Sequence, residues 1–300
     1  MNGRLKFGAD RKFKIVQFTD MHIGNDTEED RVKDSKTAEL VRRILASEQP
    51  DLVVLTGDMI WSDGVADPKG SMRRAIAPIV EAGFPWAAVF GNHDAEAGVT
   101  REELLAIMQE QVNCLAGAGP DHINGVGNYV LEVEGADEST AAALYFFDSG
   151  IEAPKPIGGY AWIHPDQVHW YAEQSRQLAE QHGEPLPALA FFHIPFPEYE
   201  DAWTGQHVTG AKEERVECPR VNTGLFGAMV HMGDVIGTFV GHDHDNDYCG
   251  TLHGIRLCYG RVSGYNCYGK FPRGARVIEL VEGKRSFDTW IVEADGGIVR

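Results

Sequence analysis

The run Leu52-Val53-Val54-Leu55 follows Pro50 and Asp51, and it stops at Thr56-Gly57-Asp58. Four consecutive apolar residues, two of them β-branched, predict a strand over residues 51–55 that is buried on both faces of a sheet. A carboxylate at the exit of such a strand is costly to desolvate unless something neutralises it, and in open α/β sheets ligands collect beyond the carboxyl ends of the strands. Asp58 therefore requires a cation. A lone Asp after a strand is more simply a turn residue or a helix cap. The same pattern recurs at four other strand ends, and that repetition outweighs the simpler explanation.

The first of these is the strand 14–20, whose exit carries Asp20-Met21-His22. Alternate residues of an extended segment project to one side, so one carboxylate and one imidazole can reach the same ion. Residues 25–33 are polar and predict a loop. Ala38, Val41, Ile44 and Leu45 then fall at helical spacing up to Pro50. Strand, helix and strand make a right-handed βαβ unit, which sets Asp20 and Asp58 at one edge of a parallel sheet. After a loop over 62–69, Met72, Ala75, Ile76, Ile79 and Val80 predict a helix ending at Gly83, with Pro78 bending or restarting it. The third strand, 85–90, exits through Gly91-Asn92-His93-Asp94. The Asn92 amide offers a metal an oxygen without adding charge, and His93 beside it can exchange protons. A capping box at Thr100-Arg101-Glu102-Glu103 opens another helix.

Residues 129–133 and 142–147 change to the period of paired strands, so the chain moves to a second sheet. Residues 166–182 predict a helix capped by Asp166. The strand 187–192 ends at His193, and the strand 234–240 exits through Gly241-His242-Asp243-His244-Asp245, where the two histidines share one side of an extended turn. A solvated polar turn suits Asp243, Asp245 and Asp247 better than it suits the histidines. Residues 195–221 lack periodicity and are read as a rim over the site. Strands over 252–259, 275–281 and 287–293 complete the sheet. There is no internal repeat and no linker, so residues 1–300 form one domain.

Bulk properties narrow the function. A 43% apolar and 24% charged composition is that of a soluble globular protein. The 27 basic and 45 acidic residues give a net charge of −18, which argues against a surface that tracks nucleic-acid phosphates or binds anionic lipid. The N-terminus lacks the apolar core of a signal peptide, and no run is long enough to span a bilayer. Five cysteines without a CxxC pair imply inert buried thiols in a reducing, cytoplasmic compartment, and make sulfur-ligated zinc an unfavoured expectation.

Together the strand exits supply Asp20, His22, Asp58, Asn92, His193, His242 and His244. Seven donors are too many for one first-row ion with an open position, but they suit two ions that share a carboxylate, with Asp58 the natural bridge. Two ions roughly 3.5–4 Å apart clamp the attacking and leaving oxygens of an in-line displacement. This is the chemistry of hydrolysis at phosphorus.

The ordered motifs DxH, GD, GNHD, a strand-terminal His and GHxH resemble those of the calcineurin-like metallophosphoesterase superfamily. Residues 14–20, 191–199, 222–226 and 239–250, with Cys258-Tyr259-Gly260, resemble its purple acid phosphatase-related branch. The resemblance implies a four-layer α/β/β/α sandwich of two mixed sheets flanked by helices. It also implies that Asp20, His22 and His244 hold one ion and Asn92, His193 and His242 the other, with Asp58 between them. His93 would protonate the leaving alkoxide or hold a phosphoryl oxygen, with Asp94 its orienting partner. Purple acid phosphatases proper carry Tyr three residues after the Asp of their GD motif, and Gly where this chain has His22. Here the former position is Trp61, which cannot ligate iron, so a divalent pair of Mn, Fe or Zn is expected in place of a tyrosinate-ferric centre. The substrate expected is a small phosphate ester, a monoester by the branch resemblance. A phosphodiesterase acting on a cyclic nucleotide or nucleotide-linked substrate, and a non-catalytic scaffold on the same fold, are the alternatives. Tyr160, His164, His207, Arg261 and Tyr265 could overhang the metals, although packing or surface roles explain each as well.

Overall fold

The computed structural model describes residues 4–25 and 27–300. Two sheets stack face to face. The first has six strands: β2 (Lys12–Phe18), β3 (Leu52–Thr56) and β4 (Trp86–Val89) are parallel neighbours, with β4 at one edge, while β12 (Gly274–Val281) is antiparallel to β2, β13 (Phe287–Glu293) is antiparallel to β12, and β14 (Ile298–Val299) closes the other edge. The second sheet orders β1 (Leu5–Lys6), β5 (Tyr129–Glu134), β6 (Thr140–Phe146), β7 (Ala188–Phe191), β9 (Val235–Val240), β11 (Ile255–Tyr259), β10 (Cys249–Leu252) and β8 (Gln206–Thr209). Strands β6, β7, β9 and β11 run parallel.

The period-2 alternation of these strands builds the layers. In β6, Leu144 and Phe146 join the core that also contains Phe18 and Leu55 of the first sheet, while Ala143 and Tyr145 face a second core beneath the outer helices. Strand β7 repeats this, with Leu189 and Phe191 turned inward and Ala188 and Ala190 outward. Helices α1 (Glu28–Glu48), α2 (Pro68–Ala82) and α3 (Arg101–Gln109) cover the first sheet, with α1 on α2 and α2 on α3. Helices α4 (Pro165–His182) and α6 (Leu225–Met232) pack on each other over the second sheet, and α5 (Glu198–Trp203) lies against β10. The result is the expected four-layer α/β/β/α sandwich.

Several local expectations are corrected. The expected loop over 25–33 becomes helix from Glu28. Thr27 caps it by accepting the Asp30 amide, and Glu28, Glu29 and Asp30 complement the helix dipole in the first turn. The single strand expected over 252–259 is a hairpin that turns at His253-Gly254. The aperiodic stretch 195–221 contains α5 and β8. Helix α4 is capped by His164 with Pro165 in its first turn, so Asp166 lies inside the helix and accepts from the Asn124 amide. Helix α2 continues through Pro78. Cys249 and Cys258 are direct cross-strand partners joined as a disulfide. This corrects the expectation of five inert thiols and removes the reason for assigning a reducing compartment. No described helix is long and apolar enough to cross a membrane.

Candidate metal centre

All seven candidate ligands lie just past the carboxyl ends of parallel strands. Asp20 and His22 follow β2, Asp58 follows β3 and Asn92 follows β4, while His193 follows β7 and His242 and His244 follow β9. Each is buried, from fully enclosed His193 to His242 at 8% exposure. Asp20, His22, Asp58 and His242 hold positive φ angles of 54°, 45°, 50° and 77°. Non-glycine residues reach this left-handed region at a cost, and they stay there only where the surrounding structure over-determines them. The glycines of the motifs make the close approach possible. A Cβ on Gly91 would lie 2.1 Å from Asp58 Oδ1, and one on Gly241 would lie 1.9 Å from Thr19 Oγ1 and 2.6 Å from Asp20 Oδ2.

The donors converge in two overlapping groups. Ligand atoms of Asp20, His22 and Asp58 lie within 4.8 Å of one another, as do those of Asp58, His193 and His242, so Asp58 belongs to both. His244 Nε2 is 3.3 Å from Asp20 Oδ1 and 3.2 Å from His22 Nε2. His193 Nε2 is 3.1 Å from Asp58 Oδ2 yet off the line of a hydrogen bond, and it shares with His242 Nε2 and Asn92 Oδ1 the state of a buried polar atom without a partner. Native interiors leave few such atoms without an ion or a water to satisfy them. The outer nitrogens are fixed: His193 Nδ1 lies 2.7 Å from the Thr56 carbonyl and His244 Nδ1 lies 3.1 Å from the Tyr268 carbonyl, which turns each Nε2 inward. This donor set fits a pair of divalent ions.

Electrostatics agree. Burial would raise Asp20, but the charge and hydrogen bond of His244 outweigh it and pull Asp20 down to about 2. Burial depresses His22 and His242 to about 3, so both are neutral ligands at ordinary pH. Burial would also lower His193, but Asp58 more than reverses this and lifts it to about 9. A divalent ion would replace the proton that now screens Asp58.

Around the ligands, Asp94 accepts amide hydrogens from Asp58 (3.0 Å), Ile60 (3.0 Å) and Gly91 (2.7 Å), tying the exits of β3 and β4 together. The carboxylate beside the His93 imidazole is that of Glu96, whose Oε1 lies 2.9 Å from Nδ1. Trp61 stacks on the His93 ring at 4.6 Å and 10°. Of the rim candidates, Tyr160 meets His242 edge-on at 4.3 Å, and both Tyr160 and Tyr265 line a cleft of about 450 Å³ with Lys33, Trp61, His93, Glu217 and Tyr268. Arg261 turns away to Asp247 and Glu293, His164 stacks on Trp162, and His207 is exposed on β8. Asp243, Asp245 and Asp247 are buried, which corrects the solvated turn. Asp243 accepts from Tyr259 and Asp247 pairs with Arg261, and burial raises Asp243 to about 7. Glu96, Glu217, Tyr268 and Cys267 went unnoticed in the sequence; only Glu96, three residues after His93, left a signal.

The chain matches the calcineurin-like phosphoesterase family model over residues 13–246. It is 40% identical to the Arabidopsis thaliana protein named "Probable inactive purple acid phosphatase 28", across 95% of this chain and 79% of that one. It is 35% identical to "Probable inactive purple acid phosphatase 29" of the same plant (96% and 81%), and 34% identical to "Phosphatase DCR2" of Saccharomyces cerevisiae (96% and 54%). A solved dimetal phosphatase from Danio rerio shares the fold with a TM-score of 0.59 at 14% identity, covering 92% of this chain and 98% of that one. The chain thus belongs to the calcineurin-like phosphoesterases, in their purple acid phosphatase-related branch.

Proposed function

We propose that this protein is a dinuclear metal-dependent phosphoric ester hydrolase that acts on small monoesters. The observation that carries this reading is the convergence of buried donor atoms on two sites that share Asp58, beneath an open cleft, with His193 Nε2, His242 Nε2 and Asn92 Oδ1 left without a partner at one of them. Asp20, His22 and His244 would hold one ion, Asn92, His193 and His242 the other, and Asp58 both. Mn, Fe(II) or Zn would suit these nitrogen and oxygen donors. Such ions supply Lewis acidity and a hydroxide nucleophile near neutral pH.

The chain's own residues complete the site. With Nδ1 of His93 turned to Glu96, Nε2 is the nitrogen left to donate a proton to the departing oxygen. Trp61 covers one face of that ring and limits its rotation. Lys33 is the one Lys or Arg among the described residues lining the cleft, so the phosphoryl charge would be met by the ions and not by a basic pocket.

The names of the plant relatives favour a second reading, a scaffold that binds without turnover. It predicts lost ligands, whereas this chain retains all seven together with His93. A diesterase would use the same core under a different rim. The test compares hydrolysis of an aryl phosphate and its bis-aryl diester by protein loaded with Mn, Fe(II) or Zn. Preferential turnover of the monoester, abolished by chelation, is expected. Failure to hydrolyse either compound would leave the scaffold standing, and preference for the diester would select the diesterase.

A further inference from the structure

Cys267 is the free thiol that lies beside the expected metal ligands, and the hydrolase chemistry does not use it. Its Sγ and ring nitrogens of His22 and His244 all lie within 4.8 Å of one another, so two expected metal ligands and a sulfur converge. The segment bearing it is fastened to those ligands on both sides. Before it, the Ser263 amide donates to the Thr19 carbonyl (3.0 Å) and the Gly264 amide to the Asp20 carbonyl (3.1 Å). After it, the Tyr268 carbonyl meets His244 Nδ1, and the Tyr268 ring stacks on the His244 imidazole at 4.1 Å. Arg273 donates to the carbonyls of both Cys267 and Tyr268 at 3.0 and 3.1 Å. The sulfur itself lies 3.3 Å from the Gly264 carbonyl and 3.7 Å from that of Asp20, both weak contacts, and it lines the cleft.

We propose that Cys267 is a sulfur ligand to the ion held by Asp20, His22 and His244, an inference that rests on the dinuclear reading above. With Asp58 and Cys267 this ion would have five protein donors, and at ligand angles of about 90–120°, Zn–N near 2.0–2.1 Å and Zn–S near 2.3 Å place nitrogen and sulfur roughly 3.1–3.8 Å apart. A separation of at most 4.8 Å therefore closes by a displacement of roughly 1–2 Å, within reach of rotation about one side-chain bond. Cys114 and Cys218, the other described free thiols, belong to no such group, and Cys249 and Cys258 are paired. A thiolate makes this half of the pair softer than a purely nitrogen and oxygen site, so it discriminates in favour of Zn, Cd and Co over Mn. The two halves would then differ in metal preference although they share Asp58.

The test is spectroscopic and does not depend on turnover. Protein with Cys114→Ser and Cys218→Ser is loaded anaerobically with Co(II) or Cd(II), metal content is measured, and the near-ultraviolet spectrum is recorded with and without Cys267→Ser. A sulfur-to-metal charge-transfer band is expected with two ions bound. Cys267→Ser should abolish the band, keep both ions at saturation, and lower Cd affinity about tenfold or more while Mn affinity changes little. In the parent protein, zinc loading should slow alkylation of Cys267 by iodoacetamide. Two bound ions without the band, or a band that survives Cys267→Ser, overturns the sulfur ligand alone. Failure to bind any ion overturns this inference and the dinuclear reading together. Cys267→Ala, checked by thermal unfolding, should behave as Cys267→Ser; a band lost only in a destabilised variant would count against ligation.

Discussion

Two side chains in this centre have duties that can be separated by experiment. Asp58 belongs to both groups of donors, and its Oδ1 also accepts the His93 amide at 2.8 Å. Asp58→Asn removes the shared charge, and elemental analysis after reconstitution is expected to find neither ion tightly held. Two retained ions would rule out the bridge. His93 lies outside the ligand set, with Glu96 on one nitrogen and Trp61 on its face. His93→Ala should keep both ions and lower kcat by about 10²–10⁴. An unchanged kcat would remove it from the reaction. The sequence showed these residues because their chemistry is unusual for their places: a carboxylate or imidazole after each apolar run has few structural explanations. Glu96 and Cys267 were less legible, since an acid in a polar turn and a cysteine in a Gly-rich segment are unremarkable until the fold places them beside a histidine.

Among the elements, the strand exits matter more than the strands. Ordinary backbone would carry Asp20, Asp58 and His242 away from each other, and the left-handed conformation at each brings them back. Gly241 makes room for this. Gly241→Ala would press a methyl group against Thr19 Oγ1 and Asp20 Oδ2 and disturb their 2.8 Å hydrogen bond. A loss of about 1–3 kcal/mol is expected, measured by thermal unfolding, with weakened metal uptake in titration. Normal stability and uptake would show that the exit is more pliant than this packing implies. Buried strands were legible from their apolar runs, as was the placement of the site at their ends. The start of α1 was not, because its first turn is acidic and polar and its stability comes from a cap and a dipole. The β10–β11 hairpin was hidden because its two-residue turn, His253-Gly254, interrupts one apolar stretch only briefly. The burial of Asp243 and Asp247 could not be read either, since their partners Tyr259 and Arg261 come later in the chain.

For the molecule as a whole, protonation sets the terms of metal uptake. His193 is raised from 6.5 to about 9, so its pairing with Asp58 stabilises the metal-free fold fully below pH 6.5 and fades as pH rises through 9. His244 is raised in the same sense by Asp20, against the opposing effect of burial. His22 and His242, at about 3, are neutral throughout this window and contribute nothing to the change. Metal uptake by the Cys267→Ser protein at pH 7, where no thiol proton adds to the count, should therefore expel about two protons, and apparent affinity should climb between pH 6.5 and 9. Calorimetry in buffers of different ionisation enthalpy measures the count. A value near zero would mean that these imidazoles are already neutral.

The ligands come from both layers of strands: Asp20, His22, Asp58 and Asn92 from one, His193, His242 and His244 from the other. Neither layer could offer a complete pocket before docking on its neighbour. Tight ion capture should accordingly be among the last events of folding, and a small slip along the seam between layers would open both halves of the pocket at once. Metal retention is in that sense a gauge of whether the two layers are in register.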